Sequence, residues 1–379
     1  MMQPRHGGNL SWAAALAGCP PEAILDFSAS ISPLGPPKSA IAAIQAHLGK
    51  LSCYPDPDYR ELKAALSQSH QLSPEWILPG NGSAELLTWA GWDLAKLAAT
   101  VLATPAFGDY WRALKAFDAK VWSSPLFLGD RQEGIDLSVP YSCKGGFTKH
   151  TGAQIDNWVK PAPTNSYSPA ECGLLLNNPH NPTGKLFSRE TILPYLEQFA
   201  LVVLDEAFMD FLPPDREQSL IPVVQEYPNL VILRSLTKFY SLPGLRLGYV
   251  IAHPDRLQRW QQWRDPWPVN TLAAAAAIAV VQDIEFQQRT WAWLPPTRLQ
   301  LFQDLSQLPG FQPFNSAANF LLVQSEQASQ ELQQHLLQQH QILIRDCLSF
   351  PELGDRYFRI AVRSNSENER LVEALKTIY

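Results

Sequence analysis

Lys238 lies in the run Ser235-Leu-Thr-Lys238-Phe-Tyr-Ser-Leu-Pro-Gly-Leu-Arg246-Leu-Gly. A primary amine condenses with an aldehyde to a Schiff base, and an aldehyde cofactor that also carries a phosphate needs hydroxyl and guanidinium partners close by. Ser235, Thr237 and Arg246 are residues of those types. A lone lysine is ordinarily a solvated loop residue, so this reading depends on agreement with other motifs. Gly80-Asn-Gly82-Ser83 precedes a helical pattern, where backbone N–H groups and the helix dipole suit a phosphate. Asn177-Asn-Pro-His-Asn181-Pro-Thr-Gly184 follows an apolar run, which puts Asn181 at the carboxyl end of a strand, where open α/β sheets bind ligands. Its amide would donate to an anionic phenolic oxygen. Asp205 follows Leu201-Val-Val-Leu204 in the same way. A carboxylate facing a pyridine nitrogen keeps that nitrogen protonated and turns the ring into an electron sink, whereas the plain alternative is an acid capping the next helix.

Two C-terminal arginines and one aromatic complete the set. Arg345 ends Ile342-Leu-Ile-Arg345, and Arg359 lies in Tyr357-Phe-Arg359-Ile-Ala-Val-Arg363. The planar fork of arginine matches carboxylates and phosphates, so two such groups in one cleft suit a substrate carrying both anions. Surface salt bridges are the alternative. Phe107, in Thr104-Pro-Ala-Phe-Gly-Asp-Tyr110, is placed either against a planar cofactor or in the core.

These residues require a scaffold that brings strand ends together. Short apolar runs at Thr100–Thr104, Gly173–Leu176, Leu201–Leu204, Leu230–Leu233 and Leu247–Ala252 have the length of buried strands. Helical patterns at Ser39–Leu48, Arg60–Ser69 and Leu86–Leu97 alternate with several of them. The alternation predicts a mainly parallel sheet sandwiched by helices. The first forty residues, rich in Gly, Pro and Ser, predict an extended arm with turns. Beyond Asp265, a helix-rich segment containing Ala273 to Gln288, strands at Ala318–Val323 and Tyr357–Val362, and an amphipathic helix within Gln324–Gln341 predict a smaller second domain. The irregular stretch from Gly129 to Ala170 reads as a surface excursion.

A chain of 379 residues, 46% hydrophobic and 17% charged, is long enough for two or three domains at roughly 150 residues each. The net charge of -6 argues against a nucleic-acid surface. No apolar run reaches the ~18 residues of a membrane span. The five cysteines are dispersed and form no CxxC pair, so neither a disulfide framework nor a metal site is expected, and a reducing cytoplasm is. Leu16-Ala17-Gly18-Cys19 is similar to a lipoprotein cleavage site, but its upstream segment is weakly basic and glycine-rich, unlike a signal core.

Taken in order, Gly80-Asn-Gly82, Asn181-Pro-Thr-Gly184, Asp205-Glu-Ala, Ser235-Leu-Thr-Lys238, Arg246 and Arg359 resemble the fold-type I pyridoxal phosphate enzymes of the class I/II aminotransferase group, over nearly the whole chain. Within that group, His6-Gly-Gly-Asn9, Tyr54-Pro-Asp, Ile342-Leu-Ile-Arg345 and Tyr357-Phe-Arg-Ile-Ala-Val-Arg-Ser364 are most similar to the threonine-phosphate decarboxylase branch, with the histidinol-phosphate aminotransferases as near relatives. The resemblance implies an arm over residues 1–38 that contributes to the active site, a large cofactor domain over 39–265 and a small α+β domain over 266–379. It implies pyridoxal 5'-phosphate bound covalently to Lys238, with Asp205 on the pyridine nitrogen, Asn181 on the ring hydroxyl and Phe107 on the ring face. Ser235, Arg246, Gly82 and Ser83 would hold the cofactor phosphate, and Tyr54 would reach it from a second subunit, making a homodimer. Arg359 would take the substrate carboxylate, and His6 and Arg345 a substrate phosphate. One departure stands out: the family often has asparagines where this chain has Ser30 and Ser32, and serine is shorter and lacks the amide's paired donor and acceptor, which bears on the arm's substrate contacts. The aminotransferase relatives commonly carry a tyrosine where this chain has Phe208, which has no hydroxyl to offer the cofactor.

Overall fold

In Leu201-Val-Val-Leu-Asp and Leu230-Val-Ile-Leu-Arg-Ser the apolar run stops one or two residues before the strand does, so each strand carries polar groups out of the core at its carboxyl end. The computed structural model describes residues 6–126 and 167–378. The Gly129–Ala170 stretch lies, up to residue 166, outside the described residues. Strand β1 (Leu25–Asp26) belongs to the N-terminal arm. The large sheet is built from β2 (Ile77–Gly80), β3 (Ala99–Thr104), β4 (Val121–Pro125), β5 (Cys172–Asn177), β6 (Leu201–Asp205), β7 (Leu230–Ser235) and β8 (Gly248–Ala252), in the order β2-β8-β7-β6-β5-β3-β4. Only β8 runs against its neighbours. After the sheet come β9 (Phe311–Pro313), β10 (Phe320–Ser325), β11 (Ile342–Leu343), β12 (Arg345–Asp346) and β13 (Tyr357–Ala361). Four of these form an antiparallel sheet in the order β12-β13-β10-β9, and β11 pairs in parallel with β1.

The large sheet is covered on both faces, as an α/β sandwich. Alternate side chains of one strand enter different cores: Leu174, Val202 and Ile232 pack with the helices Arg60–His70 and Thr271–Val281, while Leu175, Val203 and Val231 pack with Ser83–Leu94 and Gly108–Lys115. This is why the central strands read as continuous apolar runs. Strands β2 and β4 are not apparent in the sequence: each is an edge strand, and each contains a proline, Pro79 or Pro125.

The same alternation applies at the polar strand ends. Asp205 and Ser235 are followed or preceded by Glu206 and Arg234, which point the opposite way and meet behind the sheet edge. Arg234 is 2% exposed. Its Nε lies 3.0 Å from Glu206 Oε2, its Nη1 bonds Asp210, and Glu206 also accepts from Ser219 Oγ at 2.7 Å and Leu220 N at 3.0 Å. Burial opposes the Arg234 charge, but Asp210 and Glu206 outweigh it and hold its pKa above the usual arginine value.

The arm differs from the expected extended chain. Residues Leu10–Ala17 form a helix, capped by Asn9 Oδ1 accepting from Trp12 N at 3.0 Å and closed by Gly18 at φ 68°. Ala13 and Ala14 are buried against Leu337 and Leu343. Further on, Phe27, Ser28, Ser30 and Ser32 are all buried, so this part is threaded through the interior. The expected helix-rich segment containing Ala273 to Gln288 consists of two helices, Thr271–Val281 and Ile284–Ser306, the second started by Asp283 Oδ1, which accepts from Phe286 N at 3.0 Å. The helix expected from Leu86 begins three residues earlier, at Ser83.

Replacing Arg234 by Met should destabilise the fold by about 3–5 kcal/mol, since Glu206 and Asp210 would be left buried without their cation. Urea midpoints on the two proteins measure this, and a loss below about 1 kcal/mol would contradict it.

Candidate active site

The carboxyl ends of β5, β6 and β7 converge. Asn177 is in register with Asp205, and Asp205 with Leu233, two residues before Ser235. Lys238 follows in the short helix Leu236–Phe239, whose amino end Ser235 caps. Lys238 Nζ donates to Ser235 Oγ at 3.2 Å, and Ser235 Oγ is 2.8 Å from Thr237 Oγ1. The amine is pushed below the ordinary lysine pKa, chiefly by burial and further by Arg246 and Arg359, while Asp205 opposes the shift. A lowered pKa enlarges the fraction of neutral amine, which is the nucleophile.

Asp205 is held by two donors. Tyr110 Oη donates to Oδ2 at 2.9 Å and Ala207 N to Oδ1 at 2.9 Å. Burial raises its pKa, opposed by Lys238 and these hydrogen bonds.

A phosphate cradle adjoins them. Gly82 sits at φ 75° just before the helix Ser83–Leu94, and no side chain caps that helix. A Cβ on Gly82 would come within 2.6 Å of Arg246 Nη2, so the guanidinium lies over bare backbone. Gly248, opposite both Gly80 and Ser235 in the sheet, allows the same approach from the other side: a Cβ there would be 2.5 Å from Ser83 N. Free helix N–H groups, a hydroxyl and a guanidinium make an anion site.

On the other wall, Arg345 and Arg359 are directly opposed across β12 and β13. Both are buried, and burial lowers the pKa of each, that of Arg359 to about 10. Arg359 Nη1 donates to Asn181 Oδ1, Nη2 to Ser28 O at 3.3 Å, and Nε has no hydrogen-bond partner. Arg345 Nη2 donates to Ser349 Oγ at 2.6 Å. Beneath Arg359 lies Phe320, 5.0 Å from the guanidinium carbon, and Phe208 packs edge-on against Phe320 at 5.1 Å. Phe208 is thus part of the apolar floor.

The remaining expected residues fall around this centre. His6 and Phe107 have ring centroids 5.7 Å apart, and His6 shares a recess with Arg345, Ser28 and Asp346. Ser30 is buried with its Oγ unpartnered, and Ser32 N donates to Lys238 O at 3.0 Å. Tyr54 is 78% exposed and stacks on Trp267 at 4.4 Å. Within the described chain it joins none of these residues. Tyr110, Ser28 and Gly248 were not singled out from sequence. For Tyr110 a signal existed, since it lies one helical turn beyond Phe107.

The arrangement suits pyridoxal phosphate: an amine that could condense with the aldehyde, a carboxylate that could face the ring nitrogen, an amide that could donate to the ring oxygen and an uncapped helix end that could take the phosphate. The fold and this residue set define a pyridoxal phosphate-dependent enzyme of fold type I, and the chain belongs to the family of class I and II aminotransferases, matching it over residues 22–375. The chain is 38% identical to the threonine-phosphate decarboxylase of Salmonella typhimurium, over 98% of this chain and 96% of that protein. It is 28% identical to the adenosylcobalamin biosynthesis bifunctional protein CobDQ of Leptospira interrogans, over 100% of this chain and 41% of that longer protein. Its fold matches the histidinol-phosphate aminotransferase of Sinorhizobium meliloti, solved with pyridoxal-5'-phosphate, at a TM-score of 0.79 and 22% identity, over 98% and 94% of the two chains.

Beside Asn181, His180 is fully buried, its Nδ1 2.8 Å from Thr183 Oγ1, and burial pushes its pKa down to about 3. A depressed folded-state pKa contributes stability that is present above pH ~6.5 and lost as the pH falls below it, at up to about 1.4 kcal/mol per pH unit. His180→Asn, which keeps an acceptor or donor near the Nδ1 position, should flatten the pH dependence of the urea midpoint between pH 6.5 and 5 by about one proton. An unchanged slope would place the acid sensitivity elsewhere.

Proposed function

We propose that the protein decarboxylates L-threonine O-3-phosphate to (R)-1-amino-2-propanol O-2-phosphate and CO2, a step of cobalamin biosynthesis. The observation that carries this is the opposed, buried pair Arg345 and Arg359. Like charges directly across an antiparallel pair repel, and the buried Nε–H of Arg359 has no partner, so the opposed pair suits a ligand with two anionic ends. Threonine phosphate has a carboxylate for Arg359 and a phosphate for Arg345 and His6. Histidinol phosphate has no carboxylate. The threonine-phosphate decarboxylase of Salmonella typhimurium, 38% identical to this chain, and the CobDQ protein of Leptospira interrogans support the same choice.

In this reading Lys238 carries the cofactor covalently, with Ser235, Arg246, Gly82 and Ser83 on its phosphate, Asn181 on its ring hydroxyl and Phe107 on its ring face. When bound, the cofactor supplies an electron sink next to the substrate's α-carbon, which Asp205 maintains by holding a proton on the ring nitrogen. Arg359 holds the carboxylate where its bond to the α-carbon breaks and CO2 leaves with neither electron of that bond. Lys238 Nζ then returns a proton to the α-carbon. The buried arm, with Ser30 facing the substrate, keeps water out.

Residues 1–38 act as an arm of the active site, 39–265 as the cofactor domain and 266–379 as the small domain. The enzyme works as a homodimer in the cytoplasm: the exposed Tyr54, with Leu48, Leu51, Trp263 and Trp267 also exposed, meets a second copy and reaches its cofactor phosphate. No helix among the described residues is long and apolar enough to cross a membrane.

With threonine phosphate the protein should release CO2 without any added 2-oxo acid. A requirement for a 2-oxo acid together with turnover of histidinol phosphate would replace decarboxylation by transamination. Arg345→Ala should cut kcat/KM for threonine phosphate roughly 10- to 150-fold, the worth of one charge-assisted contact, and free threonine should be poor for the same reason. Lys238→Ala should abolish turnover, and borohydride should no longer fix the cofactor to the protein. Peptide mapping that finds it on another lysine would refute the assignment.

A further inference from the structure

We propose that Tyr110 is a positioning residue that holds Asp205 as the carboxylate set against the cofactor's ring nitrogen. The inference rests on the pyridoxal phosphate reading of Asp205. Tyr110 is 2% exposed, fixed among Leu102, Ala106, Leu114 and Leu175 in the core under the sheet. Its phenol donates to Asp205 Oδ2 at 2.9 Å, while the backbone N–H of Ala207 donates to Oδ1 at 2.9 Å. Each carboxylate oxygen therefore has one fixed donor and a lone pair left for the ring. The helix Gly108–Lys115 that carries Tyr110 begins right after Phe107, and the two rings meet edge-to-face at 5.7 Å and 86°. One rigid turn thus sets both the ring-stacking side chain and the carboxylate behind the ring.

The physical need is clear from the burial of Asp205. Burial favours the neutral acid; Lys238 and the two hydrogen bonds oppose it, while Asp109, on the same helix as Tyr110, adds a like charge. A neutral Asp205 would leave the ring nitrogen without its counter-ion. A phenol buried this deeply keeps its proton, because both burial and Asp205 raise its pKa well above the usual value, so it can only donate.

The test is binding by the apo-protein of two probes: pyridoxal phosphate and its 1-deaza analogue, in which a C–H replaces the ring nitrogen. Wild type should prefer pyridoxal phosphate. Tyr110→Phe should weaken pyridoxal phosphate about 10-fold and change the analogue less than about twofold, so the preference collapses by about tenfold. Both affinities are read on one preparation, so partial loss of folded protein cancels in their ratio. In the holoenzyme kcat should fall about 10-fold with KM moved less than about threefold. Once Asp205 is alanine, the further change Tyr110→Phe should alter neither affinity by more than about twofold. Equal weakening of both probes, an unchanged ratio, or an effect that persists without Asp205 would each overturn the role. A wild type that binds both probes equally would instead refute the assignment of Asp205 to the ring nitrogen, which separates the two failures.

Discussion

The site depends on a buried ion pair that never touches it. Arg234 and Glu206 occupy the strand positions next to Ser235 and Asp205, and because side chains alternate along a strand, they meet on the far side of the same sheet edge. A charge so deeply buried tolerates little displacement, since any gap exposes it to a low-dielectric interior without compensation. Locking these two side chains locks the backbone at the ends of β6 and β7. The carboxylate and the hydroxyl on the opposite face inherit that rigidity, as does the lysine three residues on.

Around this anchor the cavity is electrostatically unbalanced. Lys238, Arg246, Arg345 and Arg359 gather around the site, Asp205 opposes the shift of Lys238 and Asp346 that of Arg345, and burial lowers the pKa of Lys238, Arg345 and Arg359 alike. An isolated protein keeps such an arrangement only at a cost in stability, which the buried ion pair and the two apolar cores can bear. Bound phosphate and carboxylate groups would relieve it.

The N-terminal arm joins the parts. β1 pairs with β11 beside the arginine strands, Ser28 O accepts from Arg359, and Ser32 is bonded in both directions to the lysine loop: its N–H to Lys238 O and its carbonyl from Ser241 Oγ at 2.6 Å. A glycine is required where the arm folds back, because a Cβ on Gly7 would come within 2.3 Å of Ser28 O. The arm thus ties the recess lined by His6 and Arg345 to the lysine through a short run of backbone hydrogen bonds.

The sequence by itself determined the layered α/β architecture and the candidate cofactor residues. Buried parallel strands must be continuous apolar runs, and polar side chains emerge where those runs stop, so Asn181, Asp205 and Lys238 could be singled out from position and type. The helix in the arm was less so, because eight residues flanked by glycine and proline carry little periodic signal. Edge strands with prolines were invisible for the same kind of reason. Only the tertiary structure decided what meets across long chain separations: Arg359 with Asn181, Arg345 opposite Arg359, Tyr110 on Asp205, and the burial of Ser30. Tyr54 is exposed, and among the described residues its ring stacks on Trp267 and meets none of these side chains. Local patterns report the face a residue must bury, whereas partnership between side chains depends on the register of strands and the turn of helices, which are set only when the whole core closes.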